Sequence, residues 1–251
     1  MPFLSWHEYR ERLKRYFWFS KRELYEFALL VFFFALIFSF NKWGVETFDF
    51  YTGFRNLILA IVLVGISVFV HHAVQRLFAI YFGYKPEQRI WWLGVLLGLI
   101  LIIFSNGRLM IFAGCYVTIH MHSMLRLGKH RYGPSIKTLG FVAIFGPLAN
   151  LLFAGILKAI NMSVSSPVLD SLIGFNFMLA VYNTLPLPPL DGSKMFFGSR
   201  LAYVFFIGII LSFLLFMYVF NFSFIVSLIL ALLIGVVSWI IFYLGIERSL
   251  E

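Results

Sequence analysis

Two stretches of this chain carry residue types at spacings that could do chemistry. The first is His71-His72-Ala73-Val74-Gln75-Arg76, which ends a run that is apolar from Leu57 through Val70. Residues four apart on a helix share a face, so His71 and Gln75 point the same way while His72 lies about 100° aside. That is the spacing of the helical zinc motif His-Glu-x-x-His, in which two imidazoles bind the metal and the Glu is the general base. A histidine pair near a helix end can equally be satisfied by backbone carbonyls or water. The second stretch is Asn183-Thr-Leu-Pro186-Leu-Pro188-Pro189-Leu-Asp191-Gly192. Its prolines remove backbone donors and break the helix, and irregular backbone at membrane depth survives only where protein or water satisfies it. A carboxylate beside such a break marks a functional site by default. The alternative is a helix that leaves the bilayer at Pro186 and puts Asp191 in a solvated turn.

The elements that must position these groups follow from composition. With 61% hydrophobic and only 12% charged residues in 251, the chain has too little polar surface to cover a soluble globule. It reads as an all-α integral membrane protein. A helix needs about 20 apolar residues to cross the hydrocarbon core. Runs of that kind occur at roughly 24–41, 57–82, 138–160, 168–186, 201–220 and 222–246, which predicts about six transmembrane helices. Between the second and third, Ile90 to Phe104 is apolar but short and suits a re-entrant or interfacial element, and Leu109 to Met124 suits an extended one. Residues 1–23 interleave Trp6, Tyr9, Leu13 and Trp18 with Arg10, Arg12, Lys14 and Arg15, the pattern of an amphipathic helix on the membrane surface. They show no apolar core and cleavage site of a signal peptide. Residues 24–251 read as a single polytopic membrane domain.

Orientation follows from the Lys and Arg bias. With the N-terminus inside, Lys85, Arg89, Arg126, Lys129, Arg131, Lys137, Lys194, Arg200 and Arg248 all fall on the cytoplasmic side, and so do both termini. The opposite side holds Lys42, Arg55 and Lys158, offset by Glu46, Asp49 and Asp170. The net charge of +9 therefore concerns the lipid bilayer and its anionic inner leaflet, and no segment resembles a nucleic-acid module. The single cysteine, Cys115, cannot form an internal disulfide and is expected to pack as a small hydrophobe.

Two further patterns complete the inventory. His120 and His122, two apart in a β-branched stretch, would share one face of a strand and could form an auxiliary metal site. Gly146-Pro147-Leu-Ala-Asn150 lies inside the third apolar run. In chain order, His71 in the second run, Gly146-Pro147-x-x-Asn150 in the third, and Asn183-x-x-Pro186-x-Pro188-x-x-Asp191-Gly192 closing the fourth resemble the site-2 protease family of intramembrane zinc metallopeptidases. The resemblance runs from about Leu57 to Arg200 and includes the short membrane-embedded segment between the second and third runs. It implies zinc as the cofactor, bound by His71, Asp191 and the residue at position 75, with the general base at position 72. It further implies that Asn183, Pro186, Pro188, Gly192, Gly146, Pro147 and Asn150 shape the site and hold substrate backbone. This chain departs from the family at two of four essential positions, with His72 for the Glu and Gln75 for the second histidine. A neutral amide is a weak zinc ligand, and the usual base is absent. The expectation is therefore a non-catalytic pseudoprotease that binds a transmembrane helix or partner, with zinc bound weakly if at all. The alternatives are an active intramembrane zinc protease with a rebuilt site and an ion-coupled transporter, since a broken helix with a buried Asp also suits ion coupling.

Overall fold

The computed structural model describes residues 6–44, 47–121 and 134–249. Contacts cluster into two compact units, Met1–Ser135 and Ile136–Glu251, and each is described by itself.

In the first unit, α1 (Trp6–Tyr16) precedes α2 (Lys21–Ser39), whose start is fixed by a capping box. The Ser20 hydroxyl accepts from Glu23 N, and the Glu23 carboxylate accepts from Ser20 N at 2.8 Å. Two otherwise orphaned donors of the first turn are thereby satisfied. Asp49 caps α3 (Phe50–Tyr81) by accepting from Tyr51 N and Thr52 N. At 32 residues α3 is about 48 Å long, well beyond the ~30 Å hydrocarbon thickness. After α3 come β1 (Tyr84–Ile90), α4 (Trp92–Phe104) and β2 (Cys115–Met121). The strands pair antiparallel with Lys85 opposite His120 and Ile90 opposite Cys115. On its other edge β1 meets α2: Gln88 N donates to Glu23 Oε1 at 3.1 Å and Ile90 N to Glu26 Oε2 at 3.0 Å. The short α4 packs closely on the chain that leads into β2. A Cβ on Gly94 would stand 1.8 Å from Ala113 O, so only glycine fits there.

The second unit contains α5 (Ile136–Val164), α6 (Pro167–Thr184), α7 (Asp191–Gly198), α8 (Arg200–Leu214) and α9 (Phe224–Gly245). A five-residue π-turn, Leu215–Val219, continues α8 without a break. α5 carries Pro147 in its interior, and one turn on Asn150 Nδ2 donates to Asn176 Oδ1 of α6 at 2.8 Å. Both asparagines are fully buried, and such pairs hold helices together where no water competes. α5 and α7 approach at Gly140, where a Cβ would lie 2.7 Å from Lys194 O.

All six apolar runs of the sequence are helices, namely α2, α3, α5, α6, α8 and α9. Among the described residues four segments are long and apolar enough to cross a membrane: Phe50–Tyr81, Ile136–Val164, Arg200–Val219 and Phe224–Ser249. The other two are more polar, α2 through Lys21, Arg22, Glu23 and Glu26 at its start, α6 through Asp170, Asn176 and Asn183. Two elements depart from the sequence reading. The expected extended segment is one strand of a pair, because β1 forms from residues read as loop. The chain beyond Pro186 is not simply a turn, because a separate helix, α7, starts at Asp191.

Candidate functional site

His71, His72 and Gln75 sit on α3 and are all buried. The two imidazole rings are 5.7 Å apart and nearly perpendicular, and His72 also meets the Phe27 ring edge-on at 5.9 Å. Gln75, which shares the His71 face, is engaged through its oxygen: Gln88 Nε2 of β1 donates to Gln75 Oε1 at 3.0 Å. The oxygen is the only Gln side-chain atom that could ligate a metal, and here it accepts a protein hydrogen bond.

The next residue, Arg76, anchors the same turn. It is 1% exposed and forms an ion pair with Glu23, itself 4% exposed. Its Nη1 donates to the carbonyls of Tyr16 at 3.2 Å and Trp18 at 3.3 Å, and its guanidinium lies over the Phe19 ring at 4.3 Å. A charge this deep is tolerable only when paired and hydrogen-bonded. Since Glu23 also accepts from Gln88 N, one polar cluster joins α2, α3 and β1 around Gln75.

In the second unit, α6 stops at Thr184, and Leu185–Leu190 runs without helix to Asp191 at the first position of α7. Asn183 is buried and donates to Leu179 O at 2.9 Å, while Pro186 and Pro188 are exposed. Gly192 lets α7 return onto the end of α6: a Cβ there would lie 2.0 Å from Thr184 O and 2.4 Å from Leu185 O. The Asp-Gly pair thus has a steric reason as well as a chemical one. Asp191 is fully buried, and Lys194 Nζ reaches its Oδ1 at 3.3 Å. Gly146, Pro147 and Asn150 line up on α5, with Asn150 bound to Asn176. Of the proposed auxiliary pair, His120 on β2 is solvent-exposed with Nε2 3.5 Å from Glu87 Oε2, and His122 lies outside the described residues.

Sequence reasoning missed Gln88, Glu23, Asn176 and Lys194 as members of these clusters. Lys194 alone carried a local signal, since three residues from Asp191 it shares a helix face; it reads instead as a loop charge.

The donor set bears on the zinc that the resemblance implies. Among the described residues no three His, Cys, Asp or Glu side chains group so as to hold a metal ion. Gln75 offers a neutral amide already held by Gln88, and Asp191 is held by Lys194. As they stand, these residues do not fit a catalytic zinc, which takes three strong protein ligands and an exchangeable water.

A protein of Methanocaldococcus jannaschii named a putative zinc metalloprotease is 27% identical over 184 residues, covering 71% of this chain and 85% of that protein. No family model matches the chain, and no solved structure matches it.

Proposed function

We propose that this chain is a non-catalytic relative of the site-2 proteases, a membrane protein that holds a transmembrane helix of a partner without cutting it. The apolar helices and the likeness to a zinc metalloprotease support a protease-like membrane protein. The observation that carries the non-catalytic reading is Gln75, an amide at a ligand position and bonded to Gln88. His72 at the position of the base adds to it. The break between α6 and α7 supports the binding role, because exposed Leu187 and the flanking prolines present irregular backbone that a partner helix could meet. In this reading six helices span the bilayer with both termini cytoplasmic.

The test uses purified protein in proteoliposomes with a labelled transmembrane peptide. The expected result is peptide binding by energy transfer, no zinc retained by His71 and Asp191, and no chelator-sensitive product above a His71→Ala control. Gln75→His alone should recover zinc without an efficient base, and only the double change His72→Glu with Gln75→His, which restores base and ligand together, should gain a trace of cleavage. Chelator-sensitive cleavage by the unmodified protein would overturn the proposal. It would establish the second reading, an active zinc protease, which the name of the archaeal relative favours.

A further inference from the structure

The N-terminal segment carries an interaction surface that the proposed function does not use. α1 turns Tyr9, Leu13 and Tyr16 inward and leaves Trp6, Arg10, Lys14 and Arg15 exposed. Its docking site is the end of a membrane-crossing helix: Tyr9 OH donates to Leu77 O at 3.2 Å, and the Tyr9 and Tyr81 rings meet edge-on at 5.8 Å. Contact with the last turns of α3 puts α1 at the level where a span meets water. The exposed aromatics suit that level, with Trp6 76% and Trp18 77% exposed, since indole rings concentrate at membrane interfaces. The charge suits one leaflet. Residues 6–22 hold six Lys or Arg against two Glu, and both Glu are taken by pairs within α1, Glu8 by Arg12 and Glu11 by Lys14.

We infer that α1 and the strap through Trp18 form a docking surface for anionic lipid headgroups, with Trp6 and Trp18 in the interface and Arg10, Lys14 and Arg15 on the phosphates. The surface is tied to the α3 cluster. Arg76 donates to Tyr16 O and Trp18 O, so the strap that lies on lipid is bonded to the residue following Gln75. Lipid that orders the strap also orders the Arg76 side chain and, through Glu23, the start of α2.

The test places the full chain in nanodiscs of phosphatidylcholine alone or with one third phosphatidylglycerol, and reads amide exchange over residues 6–19. Each basic side chain near an anionic surface is worth about 1 kcal/mol, so three predict exchange slowed by about a hundredfold in anionic discs at low salt. The slowing should shrink as salt is raised and the Debye length falls. The triple change Arg10→Ser, Lys14→Ser and Arg15→Ser should abolish the lipid dependence and leave labelling of buried Cys115 as slow as in the unmodified protein. A second variant, Trp6→Ser with Trp18→Ser, should weaken protection in both lipids. Equal exchange in neutral and anionic discs, or a dependence that survives the triple change, would overturn the inference and leave α1 held by protein contacts alone.

Discussion

Arg76 gives the most direct handle on the first unit, because its surroundings leave so little for it to fall back on. Arg76→Met keeps the length of the aliphatic stem and removes the charge. What remains is a Glu23 carboxylate, 4% exposed, that has lost its guanidinium and keeps the backbone donors of Ser20 and Gln88. The carbonyls of Tyr16 and Trp18 lose a donor at the same time. Breaking a buried pair from one side costs about 3–5 kcal/mol, most of it the charge left behind. Taking about 4 kcal/mol, and about 2–4 °C per kcal/mol for a chain of this size, the melting midpoint should fall by roughly 10 °C. Cys115 supplies the assay, since it is the only thiol and lies buried on β2, so a thiol-reactive dye in detergent reports when the first unit opens. Adding Glu23→Gln to Arg76→Met removes the stranded charge and should recover a substantial part of the loss. A midpoint for Arg76→Met within about 2 °C of the unmodified protein, less than the shift for 1 kcal/mol, would refute the view that this pair fixes the α3 turn.

The second unit offers a steric test. Gly192→Ala drives a Cβ into the backbone oxygens of Thr184 and Leu185 and should cost about 1–3 kcal/mol, read as at least about fivefold faster amide exchange in α7. Gly174→Ala in α6, where nothing lies within 4 Å, should leave exchange unchanged or slower and serves as the control. Asp49 offers a pH test: hydrogen bonds from the Thr52 hydroxyl and backbone, with that of Tyr51 N, hold its carboxyl below its ordinary value. A group whose pKa is depressed by folding contributes stability that is present above the unfolded pKa and disappears as pH falls through the folded one. Protection of the Tyr51 and Thr52 amides, measured by exchange and corrected for intrinsic rate, should therefore hold from neutral pH down to the ordinary carboxylate range and be lost only below it. Loss already between pH 7 and 5 would show that some other group caps α3.

The helices were legible because apolar runs of the right length announce themselves: the run predicted at 168–186 is α6, Pro167–Thr184, and that at 222–246 is α9, Phe224–Gly245. Strand β2 was legible from the alternation around Val117 and Ile119, whose side chains are buried while His120 is exposed. Its partner was not. Lys85, Glu87 and Arg89 look like loop charges, and what makes Tyr84–Ile90 a strand is a ladder to residues some thirty positions away. The candidate site residues differ from their surroundings in the same way. His71, Asp191 and the Asn-Pro-Asp-Gly spacing could be picked out from residue types alone. The partners of Gln75 and Arg76 could not, because an amide–amide bond across 13 positions and an ion pair across 53 have no local periodicity to reveal them. Gly192 stood in the motif, but the approach of Thr184 that demands it is a fact of packing.

The two glutamates at the start of α2 have a consequence for how the pair of strands exists at all. A two-stranded ribbon is marginal by itself, and an open strand edge invites pairing with whatever extended chain comes near. Here Glu23 and Glu26 receive the outward N–H groups of Gln88 and Ile90, spaced two residues apart as a neighbouring strand would receive them. A helix thus impersonates a third strand with two side chains. The ribbon's permanence is therefore borrowed: it ends on that flank as long as α2 stays seated, and it becomes a sticky edge the moment α2 withdraws.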